Sequence, residues 1–153
     1  RTDLVEDYSH IELLGQAITR LTHLDISKCN FTPASIKIFT SSVTWETAVL
    51  KKVALSNNCL FGSKLEHDTY GVKVHDIDAD QSGWSALCAA LPGSPVEELE
   101  VADVGMGVTG VTSLAKAISS MAASVEVIKL DGNRIGAPVV SLNPGAEARV
   151  DEG

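Results

Sequence analysis

The chain contains no apolar run approaching the roughly 18–20 residues of a membrane span. Nor does its amino terminus show a basic stretch followed by an apolar one, the mark of a secretory leader. Direct membrane insertion is therefore not expected. Positive charge is scarce too: 12 Lys and Arg stand against 20 Asp and Glu, a formal charge of −8. A chain of that sign repels phosphates, so nucleic acid and anionic lipid surfaces are set aside as partners, and a basic or mixed-charge protein is favoured. Cysteine is limited to Cys29, Cys59 and Cys88. An odd number in three different contexts argues against a disulfide framework and for a reducing, intracellular setting, with the cytoplasm as the expected compartment. Cys29 and Cys88 read as small buried hydrophobes. The chain starts at Arg1 without Met, which suggests a processed protein or a piece of a longer one.

What the chain does contain is a repeat of the form L-x-x-L-x-L-x-x-N-x-L, with apolar residues in the L positions. The four copies are Leu21-Leu24-Ile26-Cys29-Phe31, Leu50-Val53-Leu55-Asn58-Leu60, Val96-Leu99-Val101-Val104-Met106 and Val125-Ile128-Leu130-Asn133-Ile135. Their first positions lie 29, 46 and 29 residues apart, two equal steps around one that carries an insertion. Periods of this size mark stacked units that cannot bury an apolar face singly.

On these residues the chain resembles the leucine-rich repeat family, and the 29-residue step resembles its ribonuclease-inhibitor-like class. The resemblance covers roughly residues 11 to 136 and implies an α/β fold: a short right-handed solenoid arc with a parallel concave sheet and convex helices. It implies one repeat domain over residues 1–138, an insertion at 62–83 and an irregular tail over 139–153. It also implies that Asn58 and Asn133 hydrogen-bond turn backbone that water does not reach, with Cys29 a common substitute at that position. Val104 departs from the pattern. A side chain without donor or acceptor cannot satisfy a turn, so the third copy should be irregular or draw on Asp103.

Between the motifs the spacing turns helical. Ile11, Leu14, Ala17, Ile18 and Leu21 predict a helix over about residues 3–19. Thr32 reads as an N-cap before Pro33, with Ile36, Phe39 and Val43 following. Trp84, Leu87, Cys88 and Leu91 form a third apolar stripe that Pro92-Gly93 ends, and Val111, Leu114, Ala117, Ile118 and Met121 a fourth behind a Thr109 cap. Strands are expected near 23–27, 52–56, 98–102 and 127–131. Residues 62–83 read as a polar loop with little periodicity, either functional or disordered. The tail offers Val139, Val140 and Leu142 as an irregular cover for the last repeat.

Alternation along the strands sends the residues between the motif positions outward. The binding face is thus expected to carry His23, Asp25, Lys52, Glu98, Glu100, Lys129 and Asp131, with Trp45 as a partly exposed anchor beside it. No nucleophile, base and orienting acid fall into order, so no catalytic residue and no enzyme activity is assigned. His67, His75, Cys59, Asp68 and Asp76 match no compact zinc spacing, so no metal and no cofactor is expected. Asp78-x-Asp80-x-Ser82-Gly83 copies the first half of an EF-hand loop, but Ala89 stands where its bidentate Glu belongs. A helix cap from Asp80 or Ser82 is the favoured reading. The expected function is that of a protein-interaction module or scaffold, a subunit of a larger assembly, binding through the concave strand face and the 62–83 loop. The alternatives are a regulator of an enzyme, a GTPase or the cytoskeleton, and a calcium-responsive module.

Overall fold

A computed structural model of the chain describes residues 6–69, 71–121 and 125–136, with the backbone alone for 64–68 and 71–75. The four motif copies become four short parallel strands, β1 (His23–Asp25), β2 (Lys52–Ala54), β5 (Glu98–Glu100) and β6 (Val127–Lys129), in the spatial order β1-β2-β5-β6. Their register is the register of the motif: Leu24 stands beside Val53, Val53 beside Leu99, and Leu99 beside Ile128. The strands are three residues long rather than five. The ladder nonetheless runs on past them, through Ile26 N–H to Ala54 O, Leu55 N–H to Glu100 O and Val101 N–H to Lys129 O. It continues through Lys28 N–H to Ser56 O, Asn57 N–H to Ala102 O and Asp103 N–H to Asp131 O.

Helices α1 (Ser9–Ala17), α2 (Pro33–Ser42), α3 (Ser82–Ala90) and α4 (Val108–Ser119) pack in sequence as a second layer. The described residues therefore form an α/β fold with a four-stranded parallel sheet and four helices. The core lies between the layers, where Ile18, Ile36, Phe39, Leu50, Leu55, Leu87 and Leu99 are almost fully buried. Thr32 caps α2 by accepting from Ser35 N–H at 3.3 Å, and Pro33 opens the helix, as the sequence suggests. Helix α1 starts at Ser9, later than the expected residue 3, and its last turn tightens to 3-10 geometry over Ile18–Arg20. Cys29 is exposed rather than buried, because its turn lies at the rim. Cys88 is buried in α3, and desolvation raises its thiol to about 12, so it stays protonated.

Each strand is followed by a turn with one recurring feature. Lys28, Asn57, Asp103 and Gly132, which occupy the same position in the four copies, are all left-handed, with φ of 56°, 58°, 51° and 71°. Two positions later the copies divide. Asn30 and Gly105 are left-handed again, at φ 57° and 81°, whereas Cys59 and Arg134 are not among the left-handed residues.

The asparagines explain the division. Asn58 Oδ1 accepts from Cys29 N–H (3.1 Å) and Phe31 N–H (3.0 Å) of the preceding turn, while its Nδ2 donates to Ile26 O and Leu55 O, both at 2.9 Å. Asn133 repeats this one step on, accepting from Val104 N–H and Met106 N–H and donating to Val101 O and Leu130 O. Two N–H groups two residues apart converge on one oxygen when the residue between them is left-handed, as Asn30 and Gly105 are. The turn that faces Val104 meets no amide oxygen, and Cys59 keeps an ordinary backbone. Val104 thus alters the turn before its own; the Asp103 carboxylate does not replace the missing amide, for it lies against Gly132 in the next turn.

Restoring the amide should require both partners. Val104→Asn and Cys59→Gly, each alone, should not stabilise the chain. Together they should show a favourable coupling of about 0.5–3 kcal/mol in a double-mutant cycle read by denaturant unfolding. Strictly additive effects would disprove this account of the turn.

Candidate interaction surface

Because side chains alternate across a strand, the residues flanking the buried Leu24, Val53, Leu99 and Ile128 positions form one face of the sheet. One row across it reads His23, Lys52, Glu98, Val127; the next reads Asp25, Ala54, Glu100, Lys129. Opposite charges stand directly across from each other in both rows. Lys129 Nζ lies 2.9 Å from Glu100, Lys52 Nζ lies 3.4 Å from Glu100 and 3.8 Å from Glu98, and beside the face Lys51 pairs with Glu97 at 3.2 Å. Glu98, Lys52, Glu100 and Lys129 thus form a zigzag of alternating sign across β2, β5 and β6.

Of the residues expected on this face, the structure brings these four together. His23 and Asp25 sit exposed at the β1 end, and Asp131 is exposed just past β6. Glu98 and Glu100 are each engaged by lysine, and one expectation needs correction. Trp45 is no exposed anchor: it is 7% exposed, and its Nε1–H donates to Thr40 O at 2.9 Å, so the ring is committed to the core between α2 and β2. The sequence register did not include Trp45, and its polar neighbours misled. Ala54, in the middle of the face, is 1% exposed beneath the longer side chains around it.

The electrostatics follow from these contacts. Lys129, then Lys52, hold the Glu100 carboxyl below its ordinary value of 4.5, and Glu100 in turn raises Lys129. Asp25 is lowered by the Ser27 N–H that it accepts at 3.0 Å. A carboxyl depressed by folding stabilises the fold above its unfolded value and loses that contribution as pH falls through its folded value. The chain should therefore lose denaturant resistance as pH drops from neutrality through and below 4.5, and Glu100→Gln should flatten part of that acid limb. An acid limb of unchanged steepness in the variant would show that the pairing adds nothing.

The insertion differs most from expectation. Residues Lys64–Asp68 and Gly71–His75 form an antiparallel hairpin, β3 and β4, paired from Lys64 with His75 to Asp68 with Gly71. The side chains of His67, Asp68 and His75 lie outside the described residues, and so does the expected tail over 139–153. The segment then returns through two left-handed residues, Asp76 and Asp78, to α3. Asp78 accepts from Gly107 N–H (2.8 Å), Thr109 N–H (3.0 Å) and Gly110 N–H (3.1 Å), capping α4 from 29 residues away. Thr109 is accordingly not the cap. A β-carbon on Gly110 would lie 2.9 Å from Asp78 Oδ1, so glycine there admits the carboxylate. Asp80 accepts from Ser82 N–H at 2.9 Å just before α3, although Gln81 rather than Asp80 or Ser82 holds the N-cap position. A calcium loop needs these carboxylates to converge on one point, and here they serve two different helices.

Asp78→Ala should cost about 1–3 kcal/mol, because it leaves helix-end donors without their acceptor. Hydrogen exchange at Gly107, Thr109 and Gly110 should quicken with it; unchanged exchange there would refute the capping role.

No protein-family model matches the chain, and no curated protein matches it either. Among the described residues, no helix is long and apolar enough to cross a membrane.

Proposed function

We propose that the chain is a leucine-rich repeat solenoid of the ribonuclease-inhibitor-like type. On this reading it acts as a non-catalytic protein-interaction module, a scaffold or subunit of a larger assembly, and it binds its partner through the open face of the sheet. The observation that carries the reading is the in-register face of β1, β2, β5 and β6. His23, Asp25, Lys52, Glu98, Glu100 and Lys129 lie on these strands, held by backbone, and Asp131 follows β6 in the next turn. Ion pairs already formed across it fix the side chains before a partner arrives, which lowers the ordering cost of association. Four acidic and two basic groups on the face suit a partner of basic or mixed charge, and such complementarity sets encounter rate and specificity more than stability.

The test is affinity capture with the full chain, compared with Glu98→Lys/Asp131→Lys on the face and Lys37→Glu/Lys116→Glu on the helix layer. These are surface charges, and an exposed ion pair such as Glu98 with Lys52 is worth only about 0–1 kcal/mol, so all three proteins should fold. Proteins retained by the wild type and by the helix-layer variant should fall at least about tenfold with the face variant. Equal recovery by all three would reject the sheet face as the binding surface.

A further inference from the structure

The two ends of the sheet and helix layer are apolar. Leu99, Val101 and Met106 are shut from solvent, whereas Ile128, Leu130 and Ile135, at the same motif positions one unit on, are only half-buried. Helix α4 faces the same way. Its Ser113, Lys116 and Ser120 share a groove with Ser85 and Cys88 of α3, and Val111 and Ile118 stand on its other side, about 140° round the helix, half-buried. Val108 beside them is 45% exposed. The backbone agrees: Lys129 O and Asp131 O accept from Val101 N–H and Asp103 N–H, so Ile128 and Leu130 turn their N–H and C=O groups to the far side of β6. Among the described residues no strand pairs there. Such an edge is a template for another strand.

The opposite end complements it. Gly15 sets α1 flush against Ser42 and Phe39 of α2, and Leu13 and Ala17, two residues to either side, lie about 160° away from that contact. Leu13 is 64% exposed, and Leu21 past the helix 45%. Strand β1 is the other edge of the sheet: Ile26 and Lys28 donate to β2, so Asp25 and Ser27 turn outward, the Ser27 N–H meeting the Asp25 carboxylate. Carrying the register of the sheet one step past β6 sets Leu24 beside Ile128 and Asp25 beside Lys129, opposite charges face to face. The same step sets α1 beside α4, apolar stripe against apolar stripe. A two-fold pairing of β6 with itself would leave the α1 stripe bare. We propose that a second copy of this chain docks head to tail, its β1 parallel to β6 in that register and its α1 against α4. Contacts of this kind join unlike surfaces, so assembly continues beyond two copies. The sheet face stays open, and the inference stands independently of its function.

Sedimentation of the full chain between about 1 μM and 1 mM decides the matter. The mean mass should rise past that of a dimer with concentration. Leu13→Glu/Ala17→Glu on α1 and Val108→Glu/Ala115→Glu on α4 change exposed residues and leave one end intact each. Either variant alone should stay monomeric, and an equimolar mixture should stop at a one-to-one dimer. Lys129→Glu should weaken assembly roughly threefold, and Asp25→Lys added to it should restore the loss. A monomer at about 1 mM, the outcome if the tail over 139–153 takes the second copy's place, would overturn the proposal. So would wild-type assembly that ends at a dimer, a mixture that stays monomeric, or a double charge variant no better than Lys129→Glu.

Discussion

The carboxamides of Asn58 and Asn133 are the contacts on which the stacking of this chain depends. Each lies inside the stack and does two jobs at once: its oxygen gathers two N–H groups of the preceding turn, and its nitrogen reaches one carbonyl in that unit and one in its own. Turns that tight cannot be paired by ladder bonds, and burying them unpaired would be costly. The same four contacts also fix the register of neighbouring strands, because the donors and acceptors on each side are two residues apart. The sheet face, with Glu98, Lys52, Glu100 and Lys129 alternating across it, inherits its geometry from that register.

Where the ladder lacks an amide, the chain does something else. The step between the second and third motifs is 46 residues rather than 29, and the extra length lies between the turn that Val104 fails to satisfy and helix α3. The insertion holds its place by two backbone contacts, Asp78 N–H to Gly105 O and Asp80 N–H to Phe61 O, and by the Asp78 carboxylate on α4. Trp84, in α3, adds a further tie, its Nε1–H donating to Gly110 O at 2.9 Å while its ring packs 5.3 Å from Phe61. The insertion thus supports the unit whose own side chain cannot.

The parallel sheet and its helix layer were legible because they are a matter of spacing. Strand register, helix order, the Thr32 cap and the burial of Trp84 with Leu87 all follow from periods of two, 3.6 and 29 residues. The hairpin was hidden because its strands are five residues each and rich in Lys, His and Asp, so alternation between Val72 and Val74 gave too short a signal. The Asp78 cap was hidden for another reason: it joins residues 29 positions apart, and local rules for helix starts look only at neighbours. On the face, spacing assigned the charged residues to the strands but could not pair them, since pairing is set by strand register and side-chain length together. Trp45 misled because polarity of neighbours says little about an indole whose N–H can reach a carbonyl five residues back.

The carboxamide ladder can be observed directly by measuring scalar couplings transmitted across hydrogen bonds in the isotope-labelled protein. Couplings should connect the amide nitrogens of Cys29 and Phe31 to the side-chain carbonyl carbon of Asn58, and those of Val104 and Met106 to that of Asn133. Their absence at either asparagine, with the fold intact, would contradict the central claim that these two amides hold the units in register.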